Sequence, residues 1–146
     1  MLCLSANVVT FADETVTLTT FYPQQMDQTT ALGGAPLACS GVGWTALVTI
    51  NTFQQARLLI LWTLDAGTAA AGGQTVTGRV TVGGVQTGSV ASAVLTNVTS
   101  PHTLAGQAVN VGVVPPNTAV TLECTSTGGL VSANPVNTTL TVVELR

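Results

Sequence analysis

Hydrophobic and polar residues alternate over several short stretches in the last two thirds of the chain. Residues 74–82 place Val76, Val80 and Val82 on one side and Arg79 with the threonines on the other. A period of two is typical of a strand with one face on a core. Further strands are predicted at residues 85–95, 108–114, 119–126 and 140–145. Clusters of glycine, proline and asparagine between these runs predict turns.

The most apolar stretch runs from Trp44 to Leu64. Its first part alternates, with Trp44, Ala46, Val48 and Ile50 on one face. Residues 58–64 have almost no polar interruption, which indicates a strand buried on both faces. The two parts predict a central hairpin with Trp44 and Trp62 in the core. A helix over residues 53–64 is the alternative, because short apolar runs do not separate strand from helix.

Gly83-Gly84 lies between the alternating runs 74–82 and 85–95. Tight hairpin turns need residues with positive φ, so this pair predicts a two-residue hairpin turn. Gly88 is a candidate bulge in the second strand.

The pattern after residue 42 amounts to about eight strands with regular turns. This predicts an all-β protein whose antiparallel strands form a jelly-roll β-sandwich over residues 43–146.

Residues 1–42 form a separate N-terminal arm in this interpretation. They contain two candidate short strands, Val8–Phe11 and Thr15–Phe21, followed by residues 23–43 without a sustained period. A structureless loop of that length is uncommon inside a compact domain. We therefore expect an extended arm that contacts other subunits and carries attachment, with Phe11, Phe21 and Tyr22 as anchors on a partner. An edge strand followed by a long surface loop is the alternative.

Charge is scarce along the whole chain. Charged residues make up 6% of the sequence, there is no lysine, and 26 threonines take the place of charge. A surface with so little charge promotes association, so we expect much of it to lie against other protein. The net charge is −3 and the only basic residues are Arg57, Arg79 and Arg146, which is too little positive charge to neutralise nucleic-acid phosphates.

The cysteines are Cys3, Cys39 and Cys124. Their odd number and wide spacing favour three reduced, buried thiols, with a Cys39–Cys124 bridge as the alternative. The first residues lack a basic region followed by an apolar run, so no signal peptide is expected. No stretch approaches the ~20 apolar residues that span a membrane, and no membrane partner is predicted.

The residues that could carry chemistry do not form a motif. His102 is the single histidine and falls in a predicted turn, while Asp13 and Glu14 point to opposite faces if they lie on a strand. Asp65, Glu123 and Glu144 are isolated carboxylates. We therefore predict a protein that is not an enzyme and has no metal or cofactor site. Aromatic residues make up only 4% of the sequence and both tryptophans are assigned to the core, which argues against sugar binding.

Residues 43–146 resemble the jelly-roll heads of trimeric virion and C1q/TNF-like proteins, on the opening GWTALVTINTFQQARLLILWTL and the closing NTTLTVVELR. The lysine-free, threonine-rich composition and the polar arm are similar to capsid decoration (cement) proteins of tailed bacteriophages. The resemblance implies a homotrimer on the outside of an icosahedral capsid, assembled in the host cytoplasm and bracing the major capsid protein. The alternative is a receptor- or carbohydrate-binding head of a tail fibre or C1q-like module.

Overall fold

The computed structural model describes residues 7–11, 14–18, 26–31, 33, 37–69, 73–95, 102–127, 131–133 and 137–145. These residues form twelve strands and no helix, so none that could cross a membrane. The strands are β1 Asn7–Phe11, β2 Glu14–Leu18, β3 Met26–Ala31, β4 Leu37–Cys39, β5 Thr45–Asn51, β6 Ala56–Ala69, β7 Gln74–Val82, β8 Val85–Leu95, β9 His102–Val114, β10 Ala119–Thr127, β11 Val131–Ala133 and β12 Thr139–Leu145.

Ten of these strands build two sheets that pack on one core. The four-stranded sheet has the order β5-β10-β7-β8, and the six-stranded sheet has the order β3-β12-β6-β11-β4 with β9 also paired to β6. All pairs are antiparallel. The predicted all-β jelly-roll sandwich is confirmed, and β5 to β12 are the eight strands described after residue 42.

Trp62 lies at the centre of the core and is 2% exposed. Two glycines make room for its indole: a Cβ at Gly106 would lie 2.4 Å from the ring and one at Gly78 would lie 3.0 Å from it. A contact of 2.4 Å is shorter than any carbon–carbon packing distance. Position 106 therefore has to be glycine while the tryptophan keeps this position.

The hairpin of β7 and β8 has the predicted bounds. Gly83 and Gly84 connect the strands with φ of +57° and +81°, the pair of positive values that a tight hairpin turn requires. Gly88 has φ of +78° and lies where the register of the two strands shifts beside Arg79. The predicted bulge is therefore present.

The predicted hairpin of residues 44–64 is wrong. β5 pairs with β10 in one sheet, whereas β6 pairs with β9, β11 and β12 in the other. Residues 52–55 therefore cross between the sheets. The helix alternative for residues 53–64 is also wrong, because most of that stretch is strand β6.

Trp44 is not a core residue, which corrects the predicted facing of β5. β10 pairs Leu122 with Val48 and Glu123 with Ala46, so Leu47 is an extra residue in a β-bulge. One extra residue reverses the alternation of every residue before it. Trp44 consequently lies on the outer face, 37% exposed.

Strand β6 has only one fully buried face, in contrast to the prediction of two. Leu58, Ile60, Trp62 and Leu64 point into the core, but Leu61 on the other face is 43% exposed. The apolar run therefore reflects one core face and one apolar outer face.

The segment before Gly43 contributes to the sandwich, and the predicted boundary at Gly43 needs correction there. β3 pairs with β12 along six residue pairs, and β4 pairs with β11. Residues 23–43 lack a sustained period because β3 is an edge strand of mostly polar residues and β4 has only three residues. The attachment role of the arm stays a prediction.

Cys39 and Cys124 form a disulfide, so the preferred interpretation as reduced thiols is wrong for this pair and the alternative holds. Cys39 ends β4 in the six-stranded sheet and Cys124 lies in β10 of the four-stranded sheet. The bond therefore links the two sheets covalently and closes a loop with a sequence separation of 85 residues. Cys3 lies outside the described residues.

Candidate binding surfaces

The polar groups that could carry chemistry lie apart from one another in the fold. His102 is not in a turn but begins β9, and its side chain is half-buried. Glu123 forms an ion pair with Arg79, and Glu144 is fully buried in β12. Within the described part of the chain, no three His, Cys, Asp or Glu residues come together in a way that could hold a metal ion.

Glu144 has a structural role that the sequence analysis missed. Its carboxylate accepts hydrogen bonds from the backbone N–H of Phe53 (2.9 Å) and Gln54 (3.1 Å) and from Nε2 of Gln28 (2.9 Å). These donors belong to β3 and to the segment between β5 and β6. The buried charge is therefore satisfied by three donors, and it fixes the segment that crosses between the sheets.

The outer surface is almost free of charge. Among the charged residues whose side chains the structure describes, Arg57 is exposed, Asp65 and Glu144 are buried, and Arg79 and Glu123 are paired. The Arg79 Nε donates to Glu123 Oε2 at 2.8 Å, so this pair adds no net charge. Among the described residues, the exposed surface consequently consists mainly of threonine, serine, glutamine and aliphatic side chains.

Part of the outer face of the six-stranded sheet is apolar. Leu59 is directly opposite Val109 on β9 and Val143 on β12, and residues paired in this way share a face of the sheet. Leu61 is 43% and Val109 is 64% exposed. We call this surface the apolar face; its members are Leu59, Leu61, Val109, Val113 and Leu145.

A shallow pocket of about 390 Å³ lies at one end of the apolar face. It is lined by Gln55, Ala56, Arg57, Val113 and Leu145. Arg57 is therefore an exposed cation at one end of the apolar face.

The outer face of the four-stranded sheet is polar and uncharged, and we call it the threonine face. Thr49 and Thr121 share a hydrogen bond of 3.1 Å between their hydroxyls, and Thr77 and Ser92 share one of 2.9 Å. These side chains come from four neighbouring strands, because period-two alternation places a threonine or serine outward on each.

An aromatic group lies in the middle of the threonine face. The guanidinium carbon of Arg79 is 3.8 Å from the centroid of the Trp44 ring, within the range of a cation–π contact. Nη1 of the same arginine donates to Oε1 of Gln86 at 3.4 Å. We call Trp44, Arg79 and Glu123 together the Trp44 platform. Sequence reasoning missed it because the bulge at Leu47 cannot be read from the alternation of β5 alone.

The predicted arm anchors are not brought together by the described residues. Phe11 is the last residue of β1, while Phe21 and Tyr22 lie outside the described part of the chain. β1 and β2, which overlap the two predicted short strands of the arm, pair with each other as a two-stranded sheet. Each of the two strands thus has one edge occupied by hydrogen bonds to the other strand.

No protein-family model and no curated protein matches this chain. Solved structures with the same fold do. The structure of Eiger TNF from S. frugiperda has a TM-score of 0.55 at 9% identity, over 86% of this chain and 94% of that one.

Capsid structures are similar to the same degree. A chain of the T13 particle of infectious bursal disease virus gives a TM-score of 0.55 at 14% identity, covering 96% of this chain and 36% of that one. The VP2 subviral particle of that virus gives 0.53 at 14% identity, over 96% and 37%. This chain therefore spans about a third of the length of those capsid chains.

The fold and these likenesses define a class, the antiparallel jelly-roll sandwiches. Within that class the chain is similar in fold to a TNF and to viral capsid domains, at identities that concern the fold alone.

Proposed function

We propose that this protein is a structural, non-enzymatic virion protein that decorates the outside of an icosahedral capsid as a homotrimer and binds the major capsid protein. The observation that carries the proposal is the nearly uncharged surface, on which Arg57 is the one exposed and unpaired charge whose side chain the structure describes. A free protein with such a surface tends to associate. Permanent contact with other subunits buries this surface and so prevents its unspecific association.

Self-association is assigned to the apolar face. Leu61 and Val109 are exposed aliphatic residues on a broad sheet surface, and the C-terminal strand β12 contributes Leu145. Burial of apolar surface is the main favourable term in stable subunit association. In a closed trimer the contacts are heterologous, so the apolar face of each copy packs against a different surface of its neighbour, and the ring closes after three copies.

Attachment to the capsid is assigned to residues 1–25. Residues 26–39 contain two strands of the sandwich, so the part of the predicted arm that can reach a partner ends before Met26. A strand with a free edge can add to a neighbouring sheet, where main-chain hydrogen bonds supply affinity. Phe11, Phe21 and Tyr22 are the proposed anchors.

The disulfide is relevant to the compartment in which the mature protein is located. Disulfides persist in oxidising surroundings and are rare in the cytoplasm. The Cys39–Cys124 bond therefore fits a mature particle outside the host cell, and we place its formation after assembly and release.

Light scattering and capsid binding test the proposal together. We expect the full-length protein to be a trimer at micromolar concentration and to bind purified capsids of its source particle that lack it. Leu61→Glu places a charge on the apolar face and should yield a folded monomer. Thr49→Glu places the same charge on the threonine face and is the matched control, which should remain a trimer.

A truncation to residues 26–146 tests the arm separately. We expect it to fold, by circular dichroism and a cooperative melt, and to lose binding to capsids. A full-length protein that stays monomeric in solution and on the capsid contradicts the proposed trimer. Undiminished capsid binding by the truncation would move attachment to the sandwich.

A receptor- or carbohydrate-binding head is the second candidate function. The exposed Trp44 favours it, because the sequence-based argument against sugar binding rested on both tryptophans being buried. Both functions are compatible with one trimer, since the threonine face and the apolar face belong to different sheets.

A further inference from the structure

We propose that the Trp44 platform binds a neutral sugar, with a pyranose ring stacked on the free face of the Trp44 indole. This inference deepens the second candidate function and does not depend on capsid attachment. It names a site and a ligand class: an uncharged hexopyranose, either free or as a unit of a polysaccharide.

One face of the indole is covered and the other is accessible. The guanidinium carbon of Arg79 lies 3.8 Å from the ring centroid, over one face. Trp44 is nevertheless 37% exposed. Since Arg79 covers one face of the ring, we infer that this exposed area belongs mainly to the face turned away from the arginine.

The indole is held in place before any ligand arrives. Arg79 donates from Nε to Glu123 at 2.8 Å and from Nη1 to Gln86 at 3.4 Å, so its planar group has a fixed orientation under the ring. A ligand that stacks on a fixed ring loses less entropy than one that must order it.

The charge of the platform favours a neutral ligand. Glu123 compensates Arg79 at 2.8 Å, and the arginine is further occupied by Gln86. An anionic sugar would need an unpaired cation, and Arg57, the unpaired cation among the side chains that the structure describes, lies on the six-stranded sheet instead.

The surroundings of the ring match the chemistry of a sugar better than that of a protein partner. A pyranose has an apolar C–H face and a rim of hydroxyl groups. Trp44 precedes Thr45, which pairs with Cys124, so the outward hydroxyl groups next to it by strand register are those of Thr125 on β10, Thr77 on β7 and Ser92 on β8. Gln86 adds an amide group beside Arg79. Interface hot spots, in contrast, are desolvated by apolar neighbours, and the largest set of exposed aliphatic residues that share a sheet face is on the opposite sheet.

The platform is flat, so we expect weak binding by one copy. Several platforms on one assembly would bind a polysaccharide more strongly through their effective concentration. The probes should therefore be polymers.

The test uses the full-length protein in native gels containing dextran, yeast mannan or guar galactomannan, with heparin as the anionic comparison. We expect retardation by at least one neutral polysaccharide and none by heparin. Trp44→Ala should weaken the retardation at least tenfold, and Trp44→Phe should keep part of it. Phe53→Ala removes another exposed aromatic residue, at the other end of β5, and should change nothing.

Fluorescence gives a second readout that is specific for the site. In a Trp62→Phe background, the emission of Trp44 should shift when the retarding polysaccharide is added. Absence of retardation by all three neutral polymers overturns the proposal, as does equal retardation of Trp44→Ala. If Trp44→Ala weakens binding to capsids while the wild type binds no sugar, the platform is a protein-docking surface and the sugar proposal is wrong. Because no capsid is present in the gel, failure of capsid attachment leaves this result unaffected.

Discussion

The two sheets of this sandwich share one core but have different outer faces. The six-stranded sheet presents the aliphatic residues Leu59, Leu61 and Val109 outward beside threonine pairs such as Thr29 and Thr141, whereas the four-stranded sheet presents mainly hydroxyl groups around the Trp44 platform. Among the side chains that the structure describes, the one unpaired charge on either face is Arg57, at one end of the apolar face. The difference indicates that neither face serves mainly to keep a free protein soluble. One face has the composition of a buried subunit contact and the other that of a wetted polar binding surface.

The largest loss of stability should come from Trp62 in the core, and Trp44 on the outer face of the four-stranded sheet is its comparison. Trp62→Ala removes an indole from the core and should lower the free energy of unfolding by about 3–5 kcal/mol. Trp44→Ala removes an exposed ring with one cation–π contact and should cost about 1 kcal/mol or less. Urea unfolding measures both. Equal losses would mean that Trp44 is packed as tightly as Trp62, and would remove the distinction between core and platform.

The link between the sheets gives the next largest effect. Replacing Cys39 and Cys124 together by alanine removes a bond that closes a loop with a sequence separation of 85 residues. The expected loss is roughly 2–5 kcal/mol, because the unfolded chain gains freedom. Thermal unfolding of the double variant measures the loss, and Cys3→Ala is the control. Unchanged melting in the double variant, or wild-type protein that reacts with thiol reagents at three cysteines, would contradict the disulfide.

A smaller effect should distinguish the carboxylates of the two sheets. Glu144→Gln replaces an acceptor of three hydrogen bonds in the six-stranded sheet, where burial is complete, and should cost about 1–3 kcal/mol. Glu123→Gln affects a partly exposed pair on the four-stranded sheet and should cost about 1 kcal/mol or less. Chemical denaturation of both variants tests the order. A larger loss of stability for Glu123→Gln than for Glu144→Gln would mean that the Trp44 platform mainly stabilises the fold.

The smallest of the four main effects concerns the turn of the four-stranded sheet. Gly84→Val should cost about 1–2 kcal/mol, because a β-branched residue resists a φ of +81°. A Cβ at this position would meet no atom within 4 Å, so the cost comes from the backbone alone. Gly84→Asn should recover part of the stability, since asparagine tolerates positive φ. Equal stability of glycine and valine variants would contradict the turn conformation.

The sequence by itself determined the fold class and most of the strands. Alternation in residues 74–82 and 85–95, with Gly83-Gly84 between them, specified the β7–β8 hairpin, because strand period and turn chemistry are local properties. The near absence of charge is also a property of the sequence alone, and it led to the expectation of a surface in contact with other protein.

Tertiary structure decided the features that depend on partners distant in sequence. The bulge at Leu47 exists only opposite β10, and it turned Trp44 outward. β3 and β4 have too little pattern to be recognised and become strands because β12 and β11 supply their hydrogen bonds. The same pairing brings Cys39 beside Cys124 and Glu144 beside the N–H groups of Phe53 and Gln54. Local sequence determines which residues prefer a strand. The packing of the whole chain determines which strand lies beside them, and therefore which side chains meet.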